Sequence, residues 1–328
     1  MKSGNQRLSV EKLKAWEALG YGMFIHFGMS TFDPVELNLG DKPSDYYAPT
    51  DLDVDQWIAV AKAAGMKYAV LTTKHVSGHC LWPTKYTDYH VGTSSDPTDV
   101  VDKFVKACEK YDIMPGLYYC SWDNHHLFGS LTPSLTQWDY AYTTRAYQEF
   151  QTNQITELLT EYGKIGEVWI DIPKVLPRSY RIELYNHIAK LQPEAVIVMN
   201  NGLSDGTDLS VINTWPSDIV TIERWLPSSL DGHKKFREIE GKNYYLPGET
   251  NDPIGREWFY VEEDRPRSDE ELLGMYLTAR ARGTNFLLDV PPNKKGVIPE
   301  HYVAALMRLK ANLDLLNQNK TEFRSFLA

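Results

Sequence analysis

The chain of 328 residues has only three cysteines, Cys80, Cys108 and Cys120, and none are spaced as a Cys-x-x-Cys motif. This odd count argues against a disulfide framework and against a zinc site, so we expect reduced thiols. No segment approaches the roughly 20 consecutive apolar residues of a membrane-spanning helix. Residues 1–19 are polar and charged and lack the apolar core of a signal peptide, so we expect a cytoplasmic protein that does not bind membranes.

Positive charge is also in short supply, because 34 Lys and Arg face 44 Asp and Glu, for a net charge of −10. Nucleic-acid binding requires basic patches, so the charge argues against nucleic acid as a partner. The sequence shows no internal repeat, low-complexity tract or linker, and we expect a single domain over residues 1–328. Aromatic residues make up 12% of the chain, which suits a sugar pocket, or a large core with the subunit interface of a homo-oligomer.

Four apolar, β-rich segments each end in a residue that can carry chemistry. They cover residues 21–28, 68–75, 117–122 and 167–171, and the residues at their ends are His26, His75, Trp122 and Asp171. Strand and helix patterns alternate along the chain, which predicts parallel βα units closed into a (β/α)8 (TIM) barrel. The carboxyl ends of the strands of such a barrel open onto one face, which carries the active site. The pattern therefore predicts one pocket, and its polar and aromatic residues favour a sugar as ligand.

The other elements are predicted from hydrophobic periodicity and helix-capping signals. The predicted helices cover residues 53–65, 96–111, 136–162, 180–191 and 300–316, and a further helix starts at a capping-box pattern at Ser268. Asp96 is the expected cap of the second helix. The remaining strands are predicted at residues 195–200, 220–225, 244–249 and 285–290. Their weak spacing after the fifth strand predicts a distorted barrel.

Asp171 follows a buried strand, where a carboxylate can act as a nucleophile, a base or a metal ligand, or can simply cap the next turn. Glycoside hydrolysis requires two carboxyl groups, one ionised to attack the sugar and one protonated to release the leaving group. Glu223 and Glu249 are the candidates for the second carboxyl, because each closes a β-like run. The residues alone leave this choice open.

His26 and His75 can exchange hydrogen bonds with sugar hydroxyls at successive strand ends. Neither forms a His-x-His motif, so no metal and no other cofactor is expected. Lys74 offers an alternative chemistry, a Schiff base of the lyase or aldolase type. Aromatic candidates for stacking on a sugar, or for packing, are Tyr119, Trp122 and Trp225.

Several segments resemble the α-L-fucosidases of glycoside hydrolase family 29. They are Gly22-Met-Phe-Ile-His26-Phe-Gly28, Ala64-Gly-Met-Lys-Tyr-Ala-Val-Leu-Thr-Thr-Lys-His75, Val168-Trp-Ile-Asp171 and the segment 282–296. The resemblance implies a retaining exo-α-L-fucosidase that removes terminal α-L-fucose from glycans or oligosaccharides through a covalent fucosyl-enzyme. Asp171 would be the nucleophile, and His26 and His75 would hold fucose hydroxyls.

The resemblance also assigns further residues. Asp45-Tyr46-Tyr47 aligns with a Glu-Trp-Tyr segment whose first two residues contact the sugar. Thr221-x-Glu223 resembles the acid/base segment of the family, and Glu249 matches a later Trp-Glu-Thr segment that is implicated in some members. Glu223 is the favoured acid/base, and Glu249 remains the alternative.

The chain departs from the family pattern in three segments near the site. Val76 replaces the second histidine of a His-His pair, and His79 is a candidate to supply the missing imidazole. Asn200-Asn201-Gly202 stands where the family has Asn-Asp-Arg, and Ile172 stands where glycine is usual. These changes motivate one alternative, a sugar-binding barrel without turnover, beside the Lys74 lyase. We expect no C-terminal β-sandwich domain, because the sequence ends soon after the last barrel helix.

Overall fold

A computed structural model describes residues 4–126, 143–201 and 208–318. Eight parallel strands form one sheet in the order β5-β4-β3-β2-β1-β10-β9-β6. Their bounds are β1 Tyr21–Ile25, β2 Tyr68–Lys74, β3 Met114–Cys120, β4 Glu167–Asp171, β5 Val196–Met199, β6 Val220–Glu223, β9 Gly248–Pro253 and β10 Thr284–Asp289. β7 (Phe236–Ile239) and β8 (Lys242–Tyr245) form a separate antiparallel hairpin between β6 and β9. The predicted (β/α)8-like barrel is confirmed, including its irregular second half.

Helices connect most of the barrel strands along the chain. They are α1 Val10–Glu17, α2 Met29–Phe32, α3 Val54–Ala63, α4 Val100–Tyr111, α5 Arg145–Glu161, α6 Arg178–Leu191, α7 Asp208–Thr214, α8 Asp269–Ala281 and α9 Glu300–Gln318. The strands are largely buried on both faces, as parallel strands covered by helices are, and most of the buried apolar residues form one large core. A smaller second cluster contains Val220 of β6 and Ile239 of β7. Within the described residues, no helix is long and apolar enough to cross a membrane.

Side chains close the barrel between β5 and β6, the two ends of the sheet order. The Asp218 carboxylate accepts a hydrogen bond from the Ile197 N–H at 2.8 Å. The Asn201 amide donates to the Thr221 carbonyl at 2.8 Å and accepts from the Thr221 N–H at 2.9 Å. A buried asparagine thus replaces part of a strand ladder at this seam, which we define as the junction between β5 and β6.

The first helix was not predicted, because its polar sequence gives a weak periodic signal. The helix α1 nevertheless packs at the start of the barrel strands. Its Trp16 indole donates to the buried Glu167 carboxylate at 2.8 Å, and its Trp16 carbonyl accepts from Asn285 at 3.1 Å. Ser9 caps this helix by accepting a hydrogen bond from the Lys12 N–H.

Most predicted elements are present with shifted bounds. α4 is capped by Asp99 and begins at Val100, so Asp96 is not the cap. The capping box of Ser268 and Glu271 is confirmed at the start of α8. The predicted start of α5 at residue 136 lies outside the described residues. Cys80, Cys108 and Cys120 are buried free thiols.

The seventh barrel strand differs most from its prediction. Residues 244 and 245 belong to the hairpin strand β8, and β9 begins only at Gly248. The sequence interpretation merged these two strands, although Pro247 separates them. Glu249 therefore lies at the start of a barrel strand and not at its end, which places it at the wrong depth for a residue of the barrel mouth.

Candidate active site

The first six strands each bring one polar residue to a pocket at their carboxyl ends. These residues are His26, His75, Tyr118, Asp171, Asn200 and Glu223. Phe24, Trp169 and Trp258 provide the apolar walls. The space between these side chains is about 290 Å³, a value that includes the part open to solvent.

Asp171 and Glu223 are held by a single amide group. Asn200 Nδ2 donates to Asp171 Oδ1 at 2.7 Å and to Glu223 Oε2 at 3.0 Å. Because both oxygens bond to the same nitrogen, they can be no farther apart than the sum of these two lengths, 5.7 Å. The Tyr118 hydroxyl also donates to Asp171 Oδ2 at 2.6 Å, so both oxygens of this carboxylate have donors.

The Glu223 carboxyl keeps its proton more strongly than an ordinary glutamate. Burial and the negative charge of Asp171 together raise the pKa of Glu223 to about 7, and the hydrogen bond from Asn200 opposes both. Asp171 and Glu223 therefore differ in environment although they lie side by side. This is the arrangement in which one carboxyl donates a proton while the other acts as an anion.

The residue after each of these carboxylates has a left-handed backbone. Ile172 has φ 47° and Arg224 has φ 58°, a conformation that costs energy in residues other than glycine and often marks functional sites. The Arg224 N–H donates to the Asn251 carbonyl at 2.9 Å, so β6 stays attached to β9 through this turn. Glycine, which the resemblance leads one to expect at position 172, would adopt this backbone without strain.

His26 and His75 line the pocket as neutral imidazoles. Burial lowers the pKa of His26 to about 3, and burial lowers the pKa of His75 well below its ordinary value. His26 Nδ1 lies 2.8 Å from the buried Asp289 carboxyl, which fixes the ring. His75 stacks on the Tyr118 ring at 5.7 Å, and its buried Nδ1 has no partner among the described residues. Neutral rings of this kind can both donate to and accept from hydroxyls.

Glu36 is a pocket residue that the sequence analysis missed. It lies in the loop after α2 and lines the pocket beside the catalytic candidates. Burial raises the pKa of Glu36, while the positive charge of Arg224 lowers it. The sequence analysis assigned this position to Asp45 and Tyr46 instead. Both are exposed, Tyr46 by 44%, and neither lines the pocket.

The structure does not bring Glu249 to the pocket. Its side chain is 0% exposed and lies inside the barrel, where it accepts from the Tyr68 hydroxyl at 2.8 Å and from the Trp169 indole at 3.1 Å. Trp169 itself lines the pocket. Glu249 therefore supports a wall of the pocket from below, next to a second buried carboxyl, Glu167.

Four further predicted binding residues lie outside the pocket. Tyr119 points away from the barrel centre and donates to Gln154 on α5 at 2.7 Å. The Trp122 indole donates to Asn124 at 2.6 Å. His79 is held by Ser44 at 3.0 Å and does not replace the missing second histidine at the pocket. Trp225 follows the acid candidate at the barrel mouth and is 61% exposed, but it does not line the pocket.

Lys74 has a structural role in this fold. Its ammonium group is fully buried and lies 2.8 Å from the Asp123 carboxylate and 3.3 Å from the Tyr147 hydroxyl. It also lies over the Tyr119 ring at 4.5 Å. An amine that is buried, paired with a carboxylate and absent from the pocket lining is not placed to form a Schiff base. Within the described part of the chain, no group of three or more metal-binding side chains is found.

Fold and site together define a (β/α)8-barrel protein whose pocket holds a carboxyl pair of the glycoside hydrolase type. A family model for α-L-fucosidase matches residues 41–317. The chain therefore belongs to the α-L-fucosidase family, glycoside hydrolase family 29.

Known proteins show the same relationship. Alpha-L-fucosidase 1 of Arabidopsis thaliana is 31% identical over 328 residues, which cover 95% of this chain and 61% of the plant protein. Alpha-L-fucosidase isoenzyme 1 from Paenibacillus thiaminolyticus superposes with a TM-score of 0.77 and 26% identity, over 95% of this chain and 76% of that one. A glycoside hydrolase 29 family member from an unknown rumen bacterium gives a TM-score of 0.75 and 27% identity, over 95% of this chain and 57% of that one. The chain thus spans 61% of the length of its plant relative.

Proposed function

We propose that this chain is a retaining exo-α-L-fucosidase that releases terminal α-L-fucose from glycans or oligosaccharides through a covalent fucosyl-enzyme. The observation that carries the proposal is the short link through Asn200, which limits Asp171 Oδ1 and Glu223 Oε2 to a separation of at most 5.7 Å. Retaining glycosidases place their carboxyl groups about 5–5.5 Å apart, whereas inverting enzymes need about 6.5–9.5 Å for an intervening water. The spacing therefore favours retention.

In the first step, an Asp171 oxygen attacks the anomeric carbon, and the bond from that carbon to the leaving sugar breaks. The oxygen of the leaving sugar takes the proton of Glu223, which the raised pKa keeps in place up to neutral pH. In the second step, Glu223 takes a proton from water as the water oxygen attacks the same carbon. The bond to Asp171 then breaks, and fucose leaves with its original configuration.

The neutral His26 and His75 rings hold fucose hydroxyls during both steps, as the family resemblance implies. The aromatic walls suit the apolar face and the methyl group of fucose, and Glu36 offers a further acceptor. Location in the cytoplasm and assembly into a homo-oligomer stay predictions from the sequence.

The test is hydrolysis of 4-nitrophenyl α-L-fucoside by the wild type, Asp171→Ala and Glu223→Ala, with Glu249→Gln as the matched carboxyl control. We expect losses of roughly 10³-fold or more for Asp171→Ala, and a rate for Glu249→Gln within about tenfold of the wild type. Proton NMR of the first product formed by the wild type should show the α anomer, as retention requires.

Azide distinguishes the roles of the two carboxyl groups. Added azide should restore turnover of Glu223→Ala and yield the α-fucosyl azide, whereas Asp171→Ala should yield the β-fucosyl azide by direct displacement. A β-fucose product from the wild type, or equal rates for wild type and Asp171→Ala, would contradict the mechanism. Binding of fucose without hydrolysis of any fucoside would favour the non-catalytic alternative.

A further inference from the structure

The buried Asn251 side chain in the pocket has no hydrogen-bond partner among the residues that the structure describes. Asn251 lies on β9 opposite Glu223 of β6 in the strand register, and it lines the pocket. Its side chain is 0% exposed, and both its Nδ2 and its Oδ1 are buried without a partner among the described residues. Exchanging the amide oxygen and nitrogen would not help, because both positions are unpaired.

The other buried asparagines of the described chain all use both ends of the amide. Asn201 bonds across the seam, and Asn285 donates to the Trp16 carbonyl while it accepts from Arg280. The same holds for Asn38, Asn124 and Asn200. Asn251 is therefore the exception, and a buried polar group without a partner requires an explanation.

The position of Asn251 supplies that explanation. It lies at the level of the acid candidate, one strand away, inside a pocket that the proposed function fills with one sugar ring. An amide presents a donor and an acceptor side by side, which matches two hydroxyls on adjacent ring carbons. An aliphatic residue at this position would pack in the barrel without leaving two polar atoms unpaired.

We propose that Asn251 is a substrate-binding residue that contacts two neighbouring hydroxyls of the fucose ring. Its amide donates a hydrogen bond to one hydroxyl and accepts a hydrogen bond from the other. This inference rests on the proposed function for the identity of the sugar. Fucose has free hydroxyls on carbons 2, 3 and 4, so either neighbouring pair includes the hydroxyl on carbon 3. The hydroxyl on carbon 3 is therefore the group that Asn251 must contact.

The test replaces Asn251 with leucine, which has a similar size and no polar atoms. The matched control is Asn201→Leu, which removes an equally buried asparagine that is fully hydrogen-bonded. We expect Asn251→Leu to keep or raise the melting temperature, because an unpaired polar group is removed, and Asn201→Leu to lower it. For Asn251→Leu, kcat/KM for 4-nitrophenyl α-L-fucoside should fall by about tenfold or more.

Two further measurements separate this inference from the proposed function. The first is calorimetric binding of L-fucose, which should be at least about tenfold weaker for Asn251→Leu whether or not the wild type turns over. The second compares the 3-deoxy fucoside with the parent fucoside. The wild type should hydrolyse the 3-deoxy fucoside more slowly than the parent compound. Asn251→Leu should hydrolyse the 3-deoxy fucoside no more slowly than the parent compound.

Each result has a definite meaning. Fucose binding by the wild type without hydrolysis would refute the proposed activity. In that case, weaker fucose binding by Asn251→Leu would still support the role of Asn251. Equal fucose affinity and equal kcat/KM for wild type and Asn251→Leu would overturn the inference. A melting temperature of Asn251→Leu as low as that of Asn201→Leu would assign Asn251 to the fold instead.

Discussion

Replacing Glu249 with glutamine tests whether this carboxyl is a buried part of the barrel. Burial raises the pKa of Glu249 from 4.5 to about 7, and its two oxygens are occupied by Tyr68 and Trp169. Glutamine keeps the shape of the side chain and an acceptor for the Trp169 indole, but it cannot ionise. The variant therefore removes the charge and little else.

The sign and size of the effect follow from the raised pKa. The folded protein binds the Glu249 proton more tightly than the unfolded chain does. The contribution of this proton to the free energy of unfolding is therefore fully present below pH 4.5 and is lost as the pH rises through about 7. A shift of the pKa from 4.5 to about 7 lowers the free energy of unfolding by about 3 kcal/mol at alkaline pH. Glu249→Gln should consequently increase the free energy of unfolding by up to about 3 kcal/mol at pH 8 and change it little at pH 5.

Urea denaturation followed by tryptophan fluorescence at pH 5 and pH 8 measures this difference directly. The exposed Glu270 on α8 provides the control, since Glu270→Gln changes the same functional group at the surface. A loss of stability of equal size at both pH values would refute the reasoning. Glu167→Gln should likewise increase the free energy of unfolding at pH 8, because burial and the charge of Glu249 raise the pKa of Glu167.

Three other outcomes follow from the site. The kcat/KM of the wild type for 4-nitrophenyl α-L-fucoside should fall about tenfold per unit above pH 7, as Glu223 loses its proton; a flat profile to pH 9 would contradict this role. Lys74→Met should lower the free energy of unfolding by about 3–5 kcal/mol in urea titrations, because the buried Asp123 carboxylate loses its ammonium partner and keeps only His126 among the described residues. Adding Asp123→Leu should restore part of this loss. Trp225→Ala should lower kcat/KM for fucosylated trisaccharides relative to α-L-fucosyl fluoride, which has no leaving sugar; an unchanged ratio would remove Trp225 from the site.

The residues at strand ends were predictable because apolar runs are easy to locate and parallel strands bring their carboxyl ends together. The structure places His26, His75, Asp171 and Glu223 around one pocket for this reason. Their common location follows from the fold class alone, once each strand has been delimited correctly. Glu249 shows the limit, because an error in one strand boundary moved a residue from the barrel interior to the predicted mouth.

The direction of a side chain was harder to predict than the position of its strand. Tyr118 and Tyr119 are adjacent, yet Tyr118 donates to Asp171 in the pocket while Tyr119 contacts α5. Successive residues of a strand point to opposite faces, but both faces of a barrel strand are buried. The sequence therefore lacks the alternation of polar and apolar residues that would have identified the inward face.

Residues from loops could not be placed from sequence patterns. Glu36 and Trp258 reach the pocket from the segments after β1 and β9, and their positions depend on the path of each loop. The resemblance pointed to Asp45 and Tyr46 because they match a short motif by residue type. The structure instead places Glu36, an acid nearer to β1, in the pocket. An insertion or a shift in loop length is enough to change such an alignment.

The seam connects the irregular fold to the proposed chemistry. β4 and β6 carry the two carboxylates but are not neighbours in the sheet, and β5 between them is attached to β6 largely through side chains. Asn200 accepts from the Thr221 hydroxyl at 2.7 Å on β6 while its amide nitrogen donates to both carboxylates. The separation of the two carboxyl groups, the proposed nucleophile and acid, is thus limited by one neutral side chain at the place where the barrel has least backbone pairing. A charged residue there would shift the pKa of Glu223, so an uncharged amide can hold the pair together without removing the proton that the first step requires.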